Sequence, residues 1–465
     1  MLSGVDAPQS LLAGWGRAGA TRATVSRPRS PDEVAELLRS PGGSGVIPRG
    51  LGRAYGDAAQ RSGGTVVDCT GLDRVVELDE AAGTVRVEAG CSLEALLRAI
   101  LPRGYFVPVT PGTRHVSVGG AIAADVHGKN HHRDGSIGAH VRSLVLATPT
   151  GVRRLDAGGE DGALLDATTG GMGLTGVVTE ATLELIPVET ASIVVDTERA
   201  VDLDDCMARM VARDADYRYS VAWLDALATG RRLGRAVLTS GDHAPLEALE
   251  PGRRERALAY APRAPIDLGR LPAVRVLAPS LGAALNEAWY RKAPLERTGE
   301  VQSLTAFFHP LDGVGAWNRA YGRLGFTQYQ FVVPPDAGEV VRRVLEHLTR
   351  RRVPSYLAVL KRFGAAGSGH LSFPSPGWTL ALDLPLGVPG LAATLDELDE
   401  LVAAAGGRVY LAKDGRLRPE LLAAMYPRLA DWRSVRDGVD PHGVLCSDLG
   451  ARLGLCDDGS GGSRR

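Results

Sequence analysis

The chain has 465 residues, 44% of them hydrophobic, and a formal net charge of -1 at pH 7. That is about three times the ~150 residues typical of one domain, so two substantial domains with packed cores are expected and a disordered chain is excluded. The balanced charge supplies no global basic field for nucleic acid, which leaves recognition to local pockets.

Five cysteines, Cys69, Cys91, Cys206, Cys446 and Cys456, are odd in number and contain no CxxC pair, which argues against a disulfide framework or a zinc site and predicts free thiols. The amino terminus lacks a basic start followed by an apolar core, and no apolar run reaches the length of a membrane span.

In chain order, Ser30-Pro31-Asp32-Glu33 opens a helix with a cap, a first-turn proline and first-turn acids, and VAELLR supplies its apolar side. Val46-Ile47, Thr65 to Asp68, Val75 to Leu78 and Thr84 to Glu88 read as strands, and Ser92 caps a helix that ends near Gly104. Between the first two of those strands lies PRGLGRAYGD, Pro48 to Asp57, whose glycines free backbone N–H groups to converge on phosphate oxygens. Its spacing, Gly50, Gly52, Gly56, matches neither the dinucleotide fingerprint nor a P-loop. A second small-residue stretch, PGTRHVSVGGAIAADVHGKNHH from Pro111 to His132, lets a backbone press against a flat ligand. Together the two loops suggest one domain holding a planar, phosphate-bearing cofactor; the alternative is two glycine-rich hairpin connections. Val141 to Leu155 reads as a hairpin, and TTGGMGLTGVVTEATLEL as a glycine turn entering a long strand. From about Ala191 the glycine loops give way to strand-like YSVAWLDA, YQFVVP and TLALDLPL and to helical EVVRRVLEHLTRR. Residues 261–283, rich in proline and apolar side chains without a clean period, are expected to form a mobile loop or lid.

Both glycine loops resemble the FAD-binding segments of the vanillyl-alcohol-oxidase type of flavoprotein. KNHH at 129–132, WYRK at 289–292, HPLD at 309–312, WNRAYG at 317–322, QYQF at 328–331 and AKDGR at 412–416 narrow the likeness. Over Leu11 to Leu455 the chain resembles the flavin subunits of decaprenylphosphoryl-β-D-ribose 2-epimerases, the decaprenylphosphoryl ribose 2-oxidases of actinobacterial cell-wall synthesis. The resemblance implies an α+β, two-domain FAD-binding fold with a separate sheet-based substrate domain. The expected organisation is 1–190 for FAD, 191–405 for substrate, 406–455 returning to the FAD domain, and 456–465 as a disordered tail.

The resemblance assigns FAD contacts to Arg49, Gly50, Leu51, Gly52, Arg53, Ala54, Tyr55, Gly56 and Asp57 in the first loop. In the second it assigns them to Gly112, Ser117, Val118, Gly119, Gly120, Ala124, Asp125, Val126 and His127, and elsewhere to Tyr410 and Val178, the last equally readable as core. Ala54 stands where covalent members of the type carry a histidine, so FAD is expected to be non-covalent.

Only four of the 53 basic residues are lysines, Lys129, Lys292, Lys361 and Lys413, and all lie in the resembling segments. In the AKD motif Lys413 is the expected catalytic lysine, stabilising negative charge at the flavin's pyrimidine edge as hydride arrives; the plain alternative is a salt bridge with Asp414. His127 either takes the proton of a sugar hydroxyl or hydrogen-bonds a flavin oxygen. No acidic or cysteine partner follows His127, His131 and His132 at metal-ligand spacing, and no metal is expected. Gln328 and Gln330 alternate on one strand face, as two amides offered to sugar hydroxyls need to, with Tyr329 and Phe331 turned to the core. Lys361, Phe363, Trp223 and Lys129 are carried over as substrate contacts. Many family members have asparagine and then cysteine on the strand after Gly377-Trp378, where this chain has Thr379 and Ala381, so the pocket wall is altered.

The reaction so implied is oxidation of the 2-hydroxyl of decaprenylphosphoryl-β-D-ribofuranose to the 2-keto sugar. A separate NADH-dependent short-chain reductase would complete epimerisation to the arabinose donor. The alternatives are an alditol or sugar-lactone oxidase on the same scaffold, or a flavin- and lipid-binding scaffold protein without turnover. A lipid substrate implies peripheral contact with the cytoplasmic membrane, and the family points to its periplasmic side.

Overall fold

The computed structural model describes residues 9–41, 44–264, 266–270 and 278–457 of the chain. Local signals act where they were expected. Ser30 accepts from the Glu33 amide to start the helix Pro31–Arg39, and Ser92 accepts from the Ala95 amide to start Leu93–Ile100. The arrangement is α+β, with two smaller sheets and one large one.

Strands Gln9–Ala13, Ala20–Ser26, Thr65–Asp68 and Val46–Arg49 lie side by side in that order, the last three parallel. Five antiparallel strands follow the order Val75–Asp79, Thr84–Glu88, Val177–Glu184, Val141–Thr148, Gly151–Asp156. The strands at 9–13 and 20–26 were not legible, because their half-exposed side chains carry little apolar alternation.

From Ser192 the chain builds an eight-stranded antiparallel sheet. Its order is Glu296–Ser303, Ser192–Ala200, Ala236–His243, Tyr219–Leu224, Leu357–Phe363, Gly377–Pro385, Phe326–Val333 and Arg408–Val409. Strand alternation gives this sheet two unlike faces. On one, Phe331, Leu360, Leu380 and Leu382 join a core with the helices Leu203–Arg213, Glu339–Arg350 and Leu391–Ala404. Glu339–Arg350 buries Val340, Val341, Val344, Leu345 and Leu348 at helical spacing, each burial contributing roughly 1.5–3 kcal/mol. The other face presents Gln328, Gln330, Thr379, Ala381, Asp383, Leu357, Val359 and Lys361, a more polar set in which Gln330, Thr379 and Asp383 are buried and the rest half-buried.

The last part of the chain runs from the large sheet to the first one. Arg408–Val409 pairs with Phe331 and Val332, the Tyr55 amide donates to the Ala412 carbonyl at 2.9 Å, and Leu445 bridges in parallel to Val46. No helix among the described residues is long and apolar enough to cross a membrane.

Three expectations are corrected. The loop at 261–283 is shorter than expected: Ile266–Asp267 pairs with Val314–Gly315, Leu268–Arg270 is a 3-10 turn, and residues 279–283 open the helix Pro279–Lys292. The positions between, 271–277, lie outside the described residues. That helix escaped notice because its inner side is made of Gly282 and Asn286, which leave no apolar period. Cys446 and Cys456 are not free thiols but form a disulfide, since the helix Asp448–Arg452 folds the chain back between them; Cys69, Cys91 and Cys206 are free and buried. Cys456 is therefore fixed structure rather than the start of a tail, and 458–465 lie outside the described residues.

Candidate active site

A cavity of about 320 Å³ opens between the two glycine loops, the AKD segment and the polar face of the large sheet. The three segments touch through glycines. A Cβ on Gly50 would meet the Ser117 hydroxyl at 1.9 Å, and one on Gly56 would meet the Asp414 carbonyl oxygen at 1.8 Å, so a side chain at either position would push the segments apart. A partly buried ion-pair cluster locks the same junction: Arg452 donates to both Asp57 oxygens and to Asp414, at 2.9 to 3.0 Å. Asp414 is thus engaged by Arg452, and the Lys413 Nζ lies instead 3.8 Å from the centroid of the Tyr55 ring.

One part of the wall is small or backbone-like, with Gly50, Gly52, Gly112, Gly119, Gly120, Gly173, Gly176, Ala89, Ala123 and Ala124. Leu51, Ala54, Ser117, Val126 and Val178 also line it, and Tyr410 closes it, its hydroxyl donating to the Ala124 carbonyl at 2.7 Å and its ring stacked on Phe373. Arg53 reaches the cavity over the Trp15 ring with its buried Nε unpartnered. A planar ligand fits a wall without side chains, and a pyrophosphate fits a buried guanidinium that still has a donor to give.

The remaining wall is side chain. Lys361 Nζ lies 3.0 Å from His127 Nδ1, and the terminal amide of Gln330 lies 3.0 Å from His127 Nε2 and 3.2 Å from Thr379 Oγ1. Burial, then the Lys361 charge, holds His127 well below the usual imidazole range, so the ring is neutral. A lysine donating to Nδ1 then puts the ring proton on Nε2, which the Gln330 amide oxygen would have to meet. Burial brings Lys361 and Lys413 each down to about 7; Lys129 and Lys413 press further on Lys361, while Asp383 opposes the shift of Lys413.

Several expected residues stand behind the wall rather than in it. Arg49 donates to the Ala59 and Ala13 carbonyls and braces the first loop. Asp125 accepts from Ser136, Ser372 and the Gly138 amide, and Val118 is core. Gly56 and Asp57 belong to the Arg452 junction. Phe363 packs between His127 and His131 at 4.7 and 4.4 Å, backing the imidazole. Lys129, also brought to about 7 by burial, donates to the Phe307 carbonyl and not into the cavity. Trp223 is one strand removed: Gln330, Ala381, Val359 and Trp223 are successive cross-strand neighbours, and its ring meets Trp289 at 6.3 Å. Lys292 is exposed beside Trp289. The histidines separate too, His131 accepting from the Gly364 amide and His132 lying against the Tyr217 carbonyl.

The sequence reading missed Asp383, Leu357, Val359, Met172 and Cys69. Asp383 had a signal, a lone acid alternating with Thr379 and Ala381 on an apolar strand. Cys69 had none; it stands in the wall with burial pushing its thiol up to about 12, so it is not a nucleophile near neutrality.

Residues 23–156 match the FAD binding domain family, and residues 388–453 match D-arabinono-1,4-lactone oxidase. The chain is 44% identical over 456 residues to decaprenylphosphoryl-beta-D-ribose oxidase of Mycolicibacterium smegmatis, covering 96% of this chain and 97% of that protein. It is 23% identical over 439 residues to L-gulono-1,4-lactone dehydrogenase of Mycobacterium tuberculosis, covering 92% and 95%. Alditol oxidase of a Streptomyces species matches at 29% over 168 residues, covering 36% and 40%. The cofactor is FAD, and the glycine-lined wall is where these residues would hold it. The chain belongs to the vanillyl-alcohol-oxidase type of FAD-linked oxidases, in the family that includes decaprenylphosphoryl-β-D-ribose oxidase.

Proposed function

We propose that the protein oxidises the 2-hydroxyl of a polyprenylphosphoryl ribofuranose to the ketone. The observation that carries this reading is the convergence of His127, Lys361, Gln330 and Lys413 on one cavity wall facing the glycine-lined one. The substrate class is supported by the printed activity of the 44% identical relative.

Two bonds of the sugar break, C2–H and O–H, and one C=O bond forms. Non-covalently bound FAD, held by the glycine-lined wall, would supply the hydride acceptor. The chain's part is to orient the sugar and move the proton. The terminal amides of Gln330 and Gln328, both lining the cavity, bind sugar hydroxyls. The hydroxyl proton passes to the Lys361–His127 pair, whose amine loses its own proton near pH 7. Lys413, in the cavity lining, would supply positive charge to the reduced cofactor, a preorganised contribution of ~3 to 4 kcal/mol. The absence of a histidine at Ala54 and the neutral Cys69 thiol support non-covalent binding. The ketone then needs a nicotinamide-dependent reductase to become the arabino epimer, and a lipid-linked sugar requires peripheral contact with the membrane, on its periplasmic side by family resemblance.

The test is anaerobic bleaching of the bound flavin by one substrate at a time. Polyprenylphosphoryl ribose should bleach it, while alditols and sugar lactones should not. Bleaching by a lactone or an alditol alone would replace this reading, and a flavin that no substrate reduces would mark a binding protein.

A further inference from the structure

Asp383 lies on the polar face of the large sheet, opposite Gln328 on one neighbouring strand and Leu357 on the other. It is fully buried. Gln328 Nε2 donates to its Oδ1 at 2.5 Å, and the Tyr321 hydroxyl lies 3.5 Å from its Oδ2. Gln328 also lies 3.4 Å from the Tyr55 hydroxyl, and Tyr55 carries Lys413 over its ring. Aromatic rings close the enclosure: Tyr321 stacks on Phe326 at 4.2 Å, and Tyr55 meets Phe326 edge-on at 5.4 Å. A buried carboxylate without a counter-charge is costly, and so is a buried ammonium.

The charges around Lys413 are unequal. Lys361 and His127 stand on the same cavity wall, Arg53 acts on Tyr55 from the first loop, and Asp414 is engaged by Arg452. Asp383 is the charge that favours the ammonium of Lys413, and Lys413 in turn favours the carboxylate. Burial raises the Asp383 carboxyl to about 7, and Gln328, Lys413 and Tyr321 oppose that shift.

We propose that Asp383 is a positioning residue of this site: its carboxylate fixes Gln328 and Tyr55 beneath Lys413 and supplies the negative charge that favours the Lys413 ammonium against its burial. The inference rests on the reading of Lys413 as the group that stabilises the reduced flavin.

With four lysines in the chain, selective 13C labelling of lysine side chains in the holoenzyme gives few signals, and Lys413→Arg identifies the one that matters. Asp383→Asn keeps the side-chain volume and an acceptor for Gln328 while removing the charge. The expected result is that Lys413 loses its proton about one pH unit or more lower than in the wild type, while exposed Lys292 is unmoved. Flavin reduction by the ribosyl lipid should then fall about tenfold or more at pH 8 and stay within about twofold at pH 6. An unmoved Lys413 titration, or a loss of equal size at every pH, overturns the proposal. Should Asp383→Asn fail to fold, the reciprocal measurement decides: in Lys413→Met the labelled Asp383 carboxyl must take up its proton at higher pH than in wild type, and no change overturns it. A ribosyl lipid that leaves the flavin oxidised at every pH would sink the substrate assignment alone, because the lysine titration reads Asp383 without substrate.

Discussion

The two walls of the cavity are made of different material. The cofactor wall is mostly backbone, drawn chiefly from two continuous loops, with Ala89, Gly173 and Gly176, in which glycine and alanine keep side chains out of the way. The catalytic wall is side chain, assembled from His127, Gln328, Gln330, Lys361, Ala381 and Lys413, which span much of the sequence. A backbone wall depends on close approach between segments, so it should fail when a junction loosens. A side-chain wall depends on individual charges, so it should fail one group at a time with the fold intact.

The largest expected effect sharpens that contrast. Lys413→Ala should leave the fold and the FAD content unchanged but slow flavin reduction by more than ~100-fold in stopped-flow measurement, with Lys413→Arg restoring only part of it. Near-normal reduction in the alanine variant would remove Lys413 from the mechanism.

Arg452→Ala attacks the other wall from behind. Losing the cation leaves Asp57 and Asp414 facing each other with little solvent, a change on the order of 3 kcal/mol. Denaturant unfolding should show that loss, and FAD should dissociate at least about tenfold more readily, while substrate-driven reduction of whatever flavin remains stays near normal. Unchanged FAD affinity would show that the junction does not support the cofactor wall.

The next test concerns pH in the apoprotein. A lysine that titrates near 7 when folded and near 10.4 when unfolded binds more protons in the unfolded state between those values, so stability rises as pH increases through that window. Lys129, Lys361 and Lys413 all fall in this class. The melting temperature of the apoprotein should rise from pH 7 to 8.5, and Lys361→Met should flatten that rise. A wild-type melting temperature that falls across this interval would mean these amines are protonated in the fold.

The smallest effect is at Ala381, which lines the cavity between Gln330 and Val359. Ala381→Cys should leave turnover within about threefold, since it removes no acid, base or charge. It should also add a thiol that nitroaromatic compounds, activated by the reduced flavin, can capture; intact-mass measurement should find the adduct in the variant and none on the wild-type chain. An adduct on the wild-type chain would show that Cys69 reacts despite its buried, neutral thiol.

The difference in material also explains how much could be read without coordinates. PRGLGRAYGD and the stretch from Pro111 to His132 are local, so their loops and most of their cavity contacts were legible as motifs. Gln328 and Gln330 were legible as a pair because strand alternation is local as well. Asp383 was not, since its importance comes from register: only the pairing of three strands sets it beside Gln328 and Leu357. Lys129 and Trp223 failed for the opposite reason. Their motifs were clear, but the turn before His131–Asp134 sends the Lys129 amine to the Phe307 carbonyl, and the sheet sets the indole one strand away from the wall. The disulfide was hidden by arithmetic, because an odd count says nothing about which two cysteines a short helix brings together.

The Arg452 junction has a consequence for the order of assembly during synthesis. The loop carrying Asp57 is made early, yet its partner stands 395 positions later in the chain. The first loop therefore waits, exposed, through translation of the whole large sheet. FAD captured before residue 452 has been made would sit in a loop without its clamp, so stable loading is expected only once that residue has folded against Asp57. A ribosome-arrested chain that stops short of that arginine should emerge colourless, however well its first sheet has formed.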